Sequence, residues 1–221
     1  MANLQVMIDS LPTLLIGAKL TVLLAVISYA LALLLGTLIA VGRLSNNRII
    51  SFFCAIYVDF FRGTPLLVQI FMVYFGIPSL LQDFGIPFRF DRFYAAVLTL
   101  SLYIAAYVSE DLRTGVTSLG TGQWDAAHAL GLRPLYVWTL VILPQAFRRA
   151  LPSLGNEAVG IIKDTSLVAI IGYEELFRKG QLIVAETYQP FEIYVVVSAI
   201  YLILTMLTSS LNRYLERKFK K

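Results

Sequence analysis

Five long apolar stretches constrain this chain more than any other feature. A helix crossing the hydrocarbon core of a bilayer needs about 20 mostly apolar residues. Residues 11–41, 49–81, 93–108, 151–171 and 191–211 are the candidates. The first carries one charged residue, Lys19, and the second is interrupted by Arg62-Gly63-Thr64-Pro65. The third runs on into Ser109-Glu110-Asp111, and the fourth contains Lys163-Asp164-Thr165. The first two exceed a perpendicular crossing, which predicts tilt or extension beyond the lipid. Composition agrees: 58% of the 221 residues are hydrophobic and 14% charged, against about 45–50% and about 25% in soluble domains. The expected fold class is all-α, a polytopic membrane bundle with about five transmembrane helices. No stretch calls for a strand, and no internal repeat is visible.

Charge placement sets the orientation. The net charge of +4 does not point to nucleic acid, because the basic residues gather at the ends of apolar stretches. With the N-terminus outside, inner segments hold Arg43, Arg48, Arg113, Arg133, Arg148, Arg149, Arg213, Arg217, Lys218, Lys220 and Lys221. Outer segments hold Lys19, Arg89, Arg92, Arg178 and Lys179. Eleven against five satisfies the positive-inside rule. The C-terminus is therefore expected in the cytoplasm, with the largest cytoplasmic segment near residues 114–149. The start, MANLQVMIDS, lacks a basic n-region and reads as a retained first helix. A single cysteine, Cys54, gives no disulfide framework.

Charges inside spanning helices are costly and usually face a partner or a watery cavity. Asp59, Arg62, Lys163 and Asp164 fall inside spans, and Glu110 lies toward the inner end of the third. One reading pairs Asp59 with Arg62 at i and i+3, merely satisfying the bundle. The other starts from the breaks. In RGTPLLVQ, Thr64 is a candidate N-cap with Pro65 first in a new half-helix. In KDTSLVAII, Asp164, Thr165 or Ser166 is a candidate cap for a second half-helix. Half-helix N-termini at mid-membrane bind anionic groups in transporters; a ligand-free kink is the plainer alternative. An α-amino acid suits such a site. Backbone amides or Arg62 would take the carboxylate, and Asp164 or Glu110 the ammonium or a cationic side chain. The expected substrate-binding set is Asp164, Glu110, Arg62, Thr64, Thr165, Ser166 and Asp59.

Catalytic constellations are missing. One histidine and one cysteine, far apart, offer no metal cluster and no Cys-His nucleophile. No phosphate loop of the G-x-x-x-x-G-K-[ST] type appears, and Gly120-Thr121-Gly122 reads as a turn. No catalytic residue, metal or cofactor is expected, so an active pump would draw its energy from another chain.

Residues 124–155 begin W-DAAHALGLRP and continue through LPQAFRRALPSLG. The run resembles the EAA cytoplasmic loop of permease subunits of bacterial binding-protein-dependent ABC importers. The matching residues are Asp125-Ala126-Ala127, then Gly131 after three residues, then Ile142-Leu143-Pro144. Asp125 stands where the family carries Glu. RGTPLLVQ, AYVSEDLRTGV, LPQAFRRALP and GNEAVGIIKDTSL are similar to the polar amino acid subgroup, with departures at Ser109, Asp111 and Thr114. Strong helix formers before Gly131 and Pro134 predict a short helix with a sharp stop. The resemblance implies that this coupling helix docks an ATPase subunit through Asp125, Ala126, Ala127, Leu130, Gly131 and Pro144. An interfacial helix lying on lipid fits less well, since such helices favour Lys, Arg and bulky apolar residues. His128 reads as a helix-face residue.

The resemblance implies one transmembrane domain over residues 1–221 of an importer in the bacterial inner membrane. Its expected partners are two ABC ATPase subunits that bind the ATP, a second permease subunit (the same chain or a relative), an extracytoplasmic amino acid-binding protein, the amino acid and the bilayer. The carboxylates near membrane depth point to arginine, lysine or histidine; glutamine-type substrates are the alternative. An ion-coupled carrier or channel without an ATPase is a further reading, and an intramembrane enzyme is disfavoured by the missing catalytic groups.

Overall fold

A computed structural model describes residues 4–219. Helix α1, Leu4–Arg43, is about 60 Å long at 1.5 Å per residue, twice the hydrocarbon thickness. Small residues line its buried side: Gly17, Ala18, Thr21, Ala25, Ser28, Ala32, Gly36 and Ala40 recur every three or four positions. That stripe lets α5, Arg92–Thr117, approach closely. A Cβ on Gly36 would stand 2.6 Å from Val108 Cγ1 and 2.8 Å from the Ala105 carbonyl oxygen. Gly36→Val is therefore expected to cost about 1–3 kcal/mol by overpacking. A lowered melting temperature of the detergent-purified protein checks this, and an unchanged one contradicts it.

Asn47 opens α2, Arg48–Gly63, by accepting from the amides of Ile49 (3.0 Å) and Ile50 (3.4 Å). After a break at Thr64-Pro65 the chain continues as α3, Leu66–Phe71, a π turn at Met72–Gly76, and α4, Ile77–Asp83. Asp91 then caps α5 through the Phe93 amide at 2.8 Å. Of the candidate spans, α5 is the most enclosed, with 61% of its apolar window buried against 17–28% in the others. It is the axis around which the rest packs.

After α5 come α6, Thr121–Ala129, and a single turn α7, Pro134–Tyr136. A π turn at Val137–Ile142 leads into α8, Leu143–Asp164, which tightens into a 3-10 helix over Thr165–Ile171. Gly172, at φ 79°, turns the chain into α9, Leu176–Thr187. Tyr188, at φ 56°, turns it again into α10, Pro190–Phe219.

The packing fixes alternate directions. Gly17 of α1 meets the start of α9, Gly115 of α5 meets Ala146 of α8, and Gly172 lies against Arg92. The chain thus reverses direction from pass to pass through five passes, as the apolar stretches predict. Four helices, Leu4–Arg43, Leu66–Asp83, Arg92–Thr117 and Pro190–Phe219, are long and apolar enough to cross a membrane by length and composition. The remaining pass, α8 with its 3-10 extension, carries Glu157, Lys163 and Asp164, too polar to register as a span. The described residues contain no strand. Outward-facing Leu34, Leu38 and Val41, each at least 60% exposed, form an apolar face suited to lipid.

Candidate functional site

At mid-bundle the interruption in the second pass is real, but it is held differently from the sequence reading. Thr64 is extended and does not cap the helix that follows. Its hydroxyl donates back to the Phe60 carbonyl at 2.8 Å. The caps come from Gln69, whose Nε2 donates to the carbonyls of Phe61 (3.0 Å) and Thr64 (3.2 Å) and to Thr64 Oγ1 (2.8 Å). Sequence reasoning passed over Gln69; the visible signal was an amide side chain one turn beyond a Gly-Thr-Pro break. Gln69→Leu would strip donors from two carbonyls in a buried setting, where each lost partner costs roughly 1–3 kcal/mol. The expected result is a clear fall in melting temperature, and equal stability would show that other donors cap the break.

The second expected break is corrected outright. The α-helix continues through Asp164, and no side chain caps the 3-10 segment. Thr165 Oγ1 donates back to the Ile162 carbonyl at 2.7 Å, and Ser166 Oγ to the Lys163 carbonyl at 2.7 Å. Hydroxyls turned toward the preceding turn leave no separate half-helix N-terminus here.

Around these two passes a charged cluster assembles. The Arg62 guanidinium stands 5.2 Å from the centre of the Tyr107 ring, within the range of a cation–π contact. Tyr107 and Tyr103 share a hydroxyl–hydroxyl bond of 3.1 Å. Glu157 lies within electrostatic reach of Asp111, Asp164 and Arg62, and Tyr103 within reach of Glu157 and Asp164. Tyr29 of α1 donates to the Leu154 carbonyl at 2.6 Å, within electrostatic reach of Glu157 and Asp111. Asp111 Oδ2 is buried without a protein partner. Three carboxylates, from α5 and α8, thus share one region with the Arg62 guanidinium from α2, and the Lys163 ammonium adds a positive charge beside Asp164. Carboxylates crowded in this way are relieved by holding a proton or by a further cation.

Glu157 was missed from sequence. Its signal was its spacing: seven residues before Asp164, two turns along the same helix face. The other expected residues distribute unevenly. Arg62 and Asp164 join the cluster, Thr165 and Ser166 adjoin it in sequence, and Thr64 frames the break. Glu110 is already engaged, accepting from Arg113 Nε (3.1 Å) and Nη2 (2.6 Å) and paired with Arg43. The Arg43 pair ties the C-terminal ends of α1 and α5 together. Asp59 is exposed on α2 and forms no ion pair with Arg62 among the described residues.

The loop between α5 and α8 forms the second part of the site. Its helix begins at Thr121 with Gly120 as N-cap, so Gly120-Thr121-Gly122 opens a helix instead of making a separate turn. Asp125 therefore lies in the second turn. Gly131, at φ 69°, ends it, with Gly131 N donating to the His128 carbonyl (2.9 Å) and Leu132 N to the Ala127 carbonyl (3.2 Å). These are the paired bonds of a Schellman stop. Ala127 is buried, packed with Val137, Ile142 and Ala146 beside the edge-to-face pair Trp124–Trp138. Asp125, Ala126 and Leu130 face outward, Leu130 at 79% exposure. Pro144 stands exposed at the start of α8.

Residues 32–221 match the family described as binding-protein-dependent transport system inner membrane component. The chain belongs to this family. Among its relatives is the glutamine transport system permease protein GlnP of Escherichia coli (strain K12), 39% identical over 96% of this chain and 94% of the relative. Another is the arginine transport system permease protein ArtQ of Bacillus subtilis (strain 168), 35% identical over 96% and 95%. A solved structure of an amino acid ABC transporter with histidines superposes with a TM-score of 0.90 at 33% identity, covering 99% of both chains. The protein is thus a multi-pass permease of the bacterial inner membrane, of the type that serves ABC import of amino acids.

Proposed function

We propose that this permease moves a cationic amino acid, arginine, lysine or histidine, by alternating access. Glu157, within electrostatic reach of Asp111, Asp164 and Arg62, carries the reading. Arg62 offers a charge for the substrate carboxylate. The carboxylates offer compensation for the α-ammonium and for a second positive charge on the side chain. Glu110, spent on two arginines, is assigned to the scaffold. Thr64, Thr165 and Ser166 are assigned to the walls of the site, and Asp59 to its approach.

Energy comes from two separate ATPase subunits, docked on the face made by Asp125, Ala126 and Leu130. Ala127, Gly131 and Pro144 shape and aim that face. A second permease chain and an extracytoplasmic binding protein complete the assembly. Glutamine is the second reading, favoured by the 39% identity to a glutamine permease. Equilibrium binding of labelled arginine and labelled glutamine to the purified assembly, without the binding protein, separates them. Arginine is expected to bind and to be displaced by lysine; tighter binding of glutamine would reverse the assignment.

A further inference from the structure

The way Arg62 is held bears on what it can bind. Its side chain is exposed in the last turn of α2. Among the described residues the guanidinium makes no hydrogen bond and no ion pair. Its close contact is with a ring: it stands 5.2 Å from the centre of Tyr107. An aromatic ring attracts a cation through its quadrupole and leaves the N–H donors of the guanidinium fork unspent. That fork matches a carboxylate through two parallel hydrogen bonds.

The ring is itself fixed. Tyr103 and Tyr107 stand one turn apart on α5, with hydroxyls 3.1 Å apart and ring centres 5.0 Å apart at 52°. Asp111 continues the same row four residues on, about 6 Å further along the axis. Its Oδ2 is buried without a protein partner. A guanidinium free to swing in this neighbourhood would pair with a carboxylate, because a charge-assisted hydrogen bond is stronger than a ring contact. Such a pair would consume the anion-binding fork and a carboxylate together. Held against Tyr107, Arg62 stays available to an incoming anion.

We propose that Tyr107 is a positioning residue for Arg62, keeping its fork free for the α-carboxylate, so that the ring contact sets the preference for amino acids over the corresponding amines. This rests on the reading of Arg62 as the group that takes the substrate carboxylate.

The test compares two ligands that differ only in that group: arginine, and agmatine, which is arginine without its carboxylate. Displacement of labelled arginine and labelled agmatine from the assembled complex, without the binding protein, gives their affinity ratio. Tyr107→Leu, which removes the ring, is expected to lower the preference for arginine about three- to tenfold with agmatine binding unchanged. Tyr107→Phe keeps the ring and is expected to stay within about twofold of wild type. Arg62→Gln is expected to lower the preference on the order of tenfold or more. A merely structural role for Tyr107 would weaken both ligands equally in Tyr107→Leu, and that result overturns the proposal. So does a preference lost in Tyr107→Phe, which would assign the effect to the hydroxyl. A wild-type ratio in Tyr107→Leu with the preference lost in Arg62→Gln overturns the role of Tyr107 and leaves that of Arg62 intact. A wild-type ratio in Arg62→Gln overturns both. Should Tyr107→Leu fail to assemble, Tyr107→Met, also without a ring, decides in its place. If the wild-type complex binds no arginine, the cationic reading fails, and glutamine with its decarboxylated amine then reads the same ratio.

Discussion

Glu157→Gln is expected to reduce arginine uptake by one to two orders of magnitude while the ATPase subunits remain bound. The substitution keeps side-chain size and removes the carboxylate that lies within electrostatic reach of Asp111, Asp164 and Arg62. A hydrogen bond to a charged partner contributes about 1.5–3 kcal/mol, which converts to roughly 10- to 100-fold in affinity. Assembly is unaffected because Glu157 lies on α8, away from the exposed face of the cytoplasmic helix. Uptake into vesicles, normalised to the amount of complex, gives the answer. Full arginine transport by this variant would remove Glu157 from the substrate path.

Leu130→Asp is expected to release the ATPase subunits altogether. Leu130 is 79% exposed at the C-terminal end of a short helix, and burying a leucine side chain contributes about 1.5–3 kcal/mol. A carboxylate in the same pocket would lose that contribution and add an unpaired buried charge. The Schellman stop at Gly131 and the Ala127 contacts behind the helix do not involve the Leu130 side chain, so the permease itself should fold. Co-purification of an ATPase chain through a tag on the permease checks this. Recovery at the wild-type ratio would place the docking surface elsewhere on the loop.

Apolar length and Gly/Pro punctuation made much of this architecture legible from sequence, because both act locally. The break at Thr64-Pro65 and the stop at Gly131 follow from residues that cannot continue a helix. What sequence could not supply were partners from distant helices. Glu110 read as a free intramembrane carboxylate until Arg43, 67 positions away, closed on it. Thr165 and Ser166 read as forward caps, yet their hydroxyls bond the turn behind them, because the helix tightens and does not restart. Glu157 gained its meaning only when α5 brought Asp111 and α2 brought Arg62 to it. Ala127 belonged to the motif for docking but turned inward, since Trp124 and Trp138 build a small core behind it.

The central claim is that this chain carries an amino acid path selective for a cationic substrate and driven by separate ATPases. Its most direct test is uptake of labelled arginine into vesicles holding the complete assembly, with the binding protein outside and ATP inside. The account predicts uptake that requires ATP, is competed by lysine and collapses in Asp164→Asn. Uptake without ATP, or arginine transport indifferent to Asp164, would contradict it.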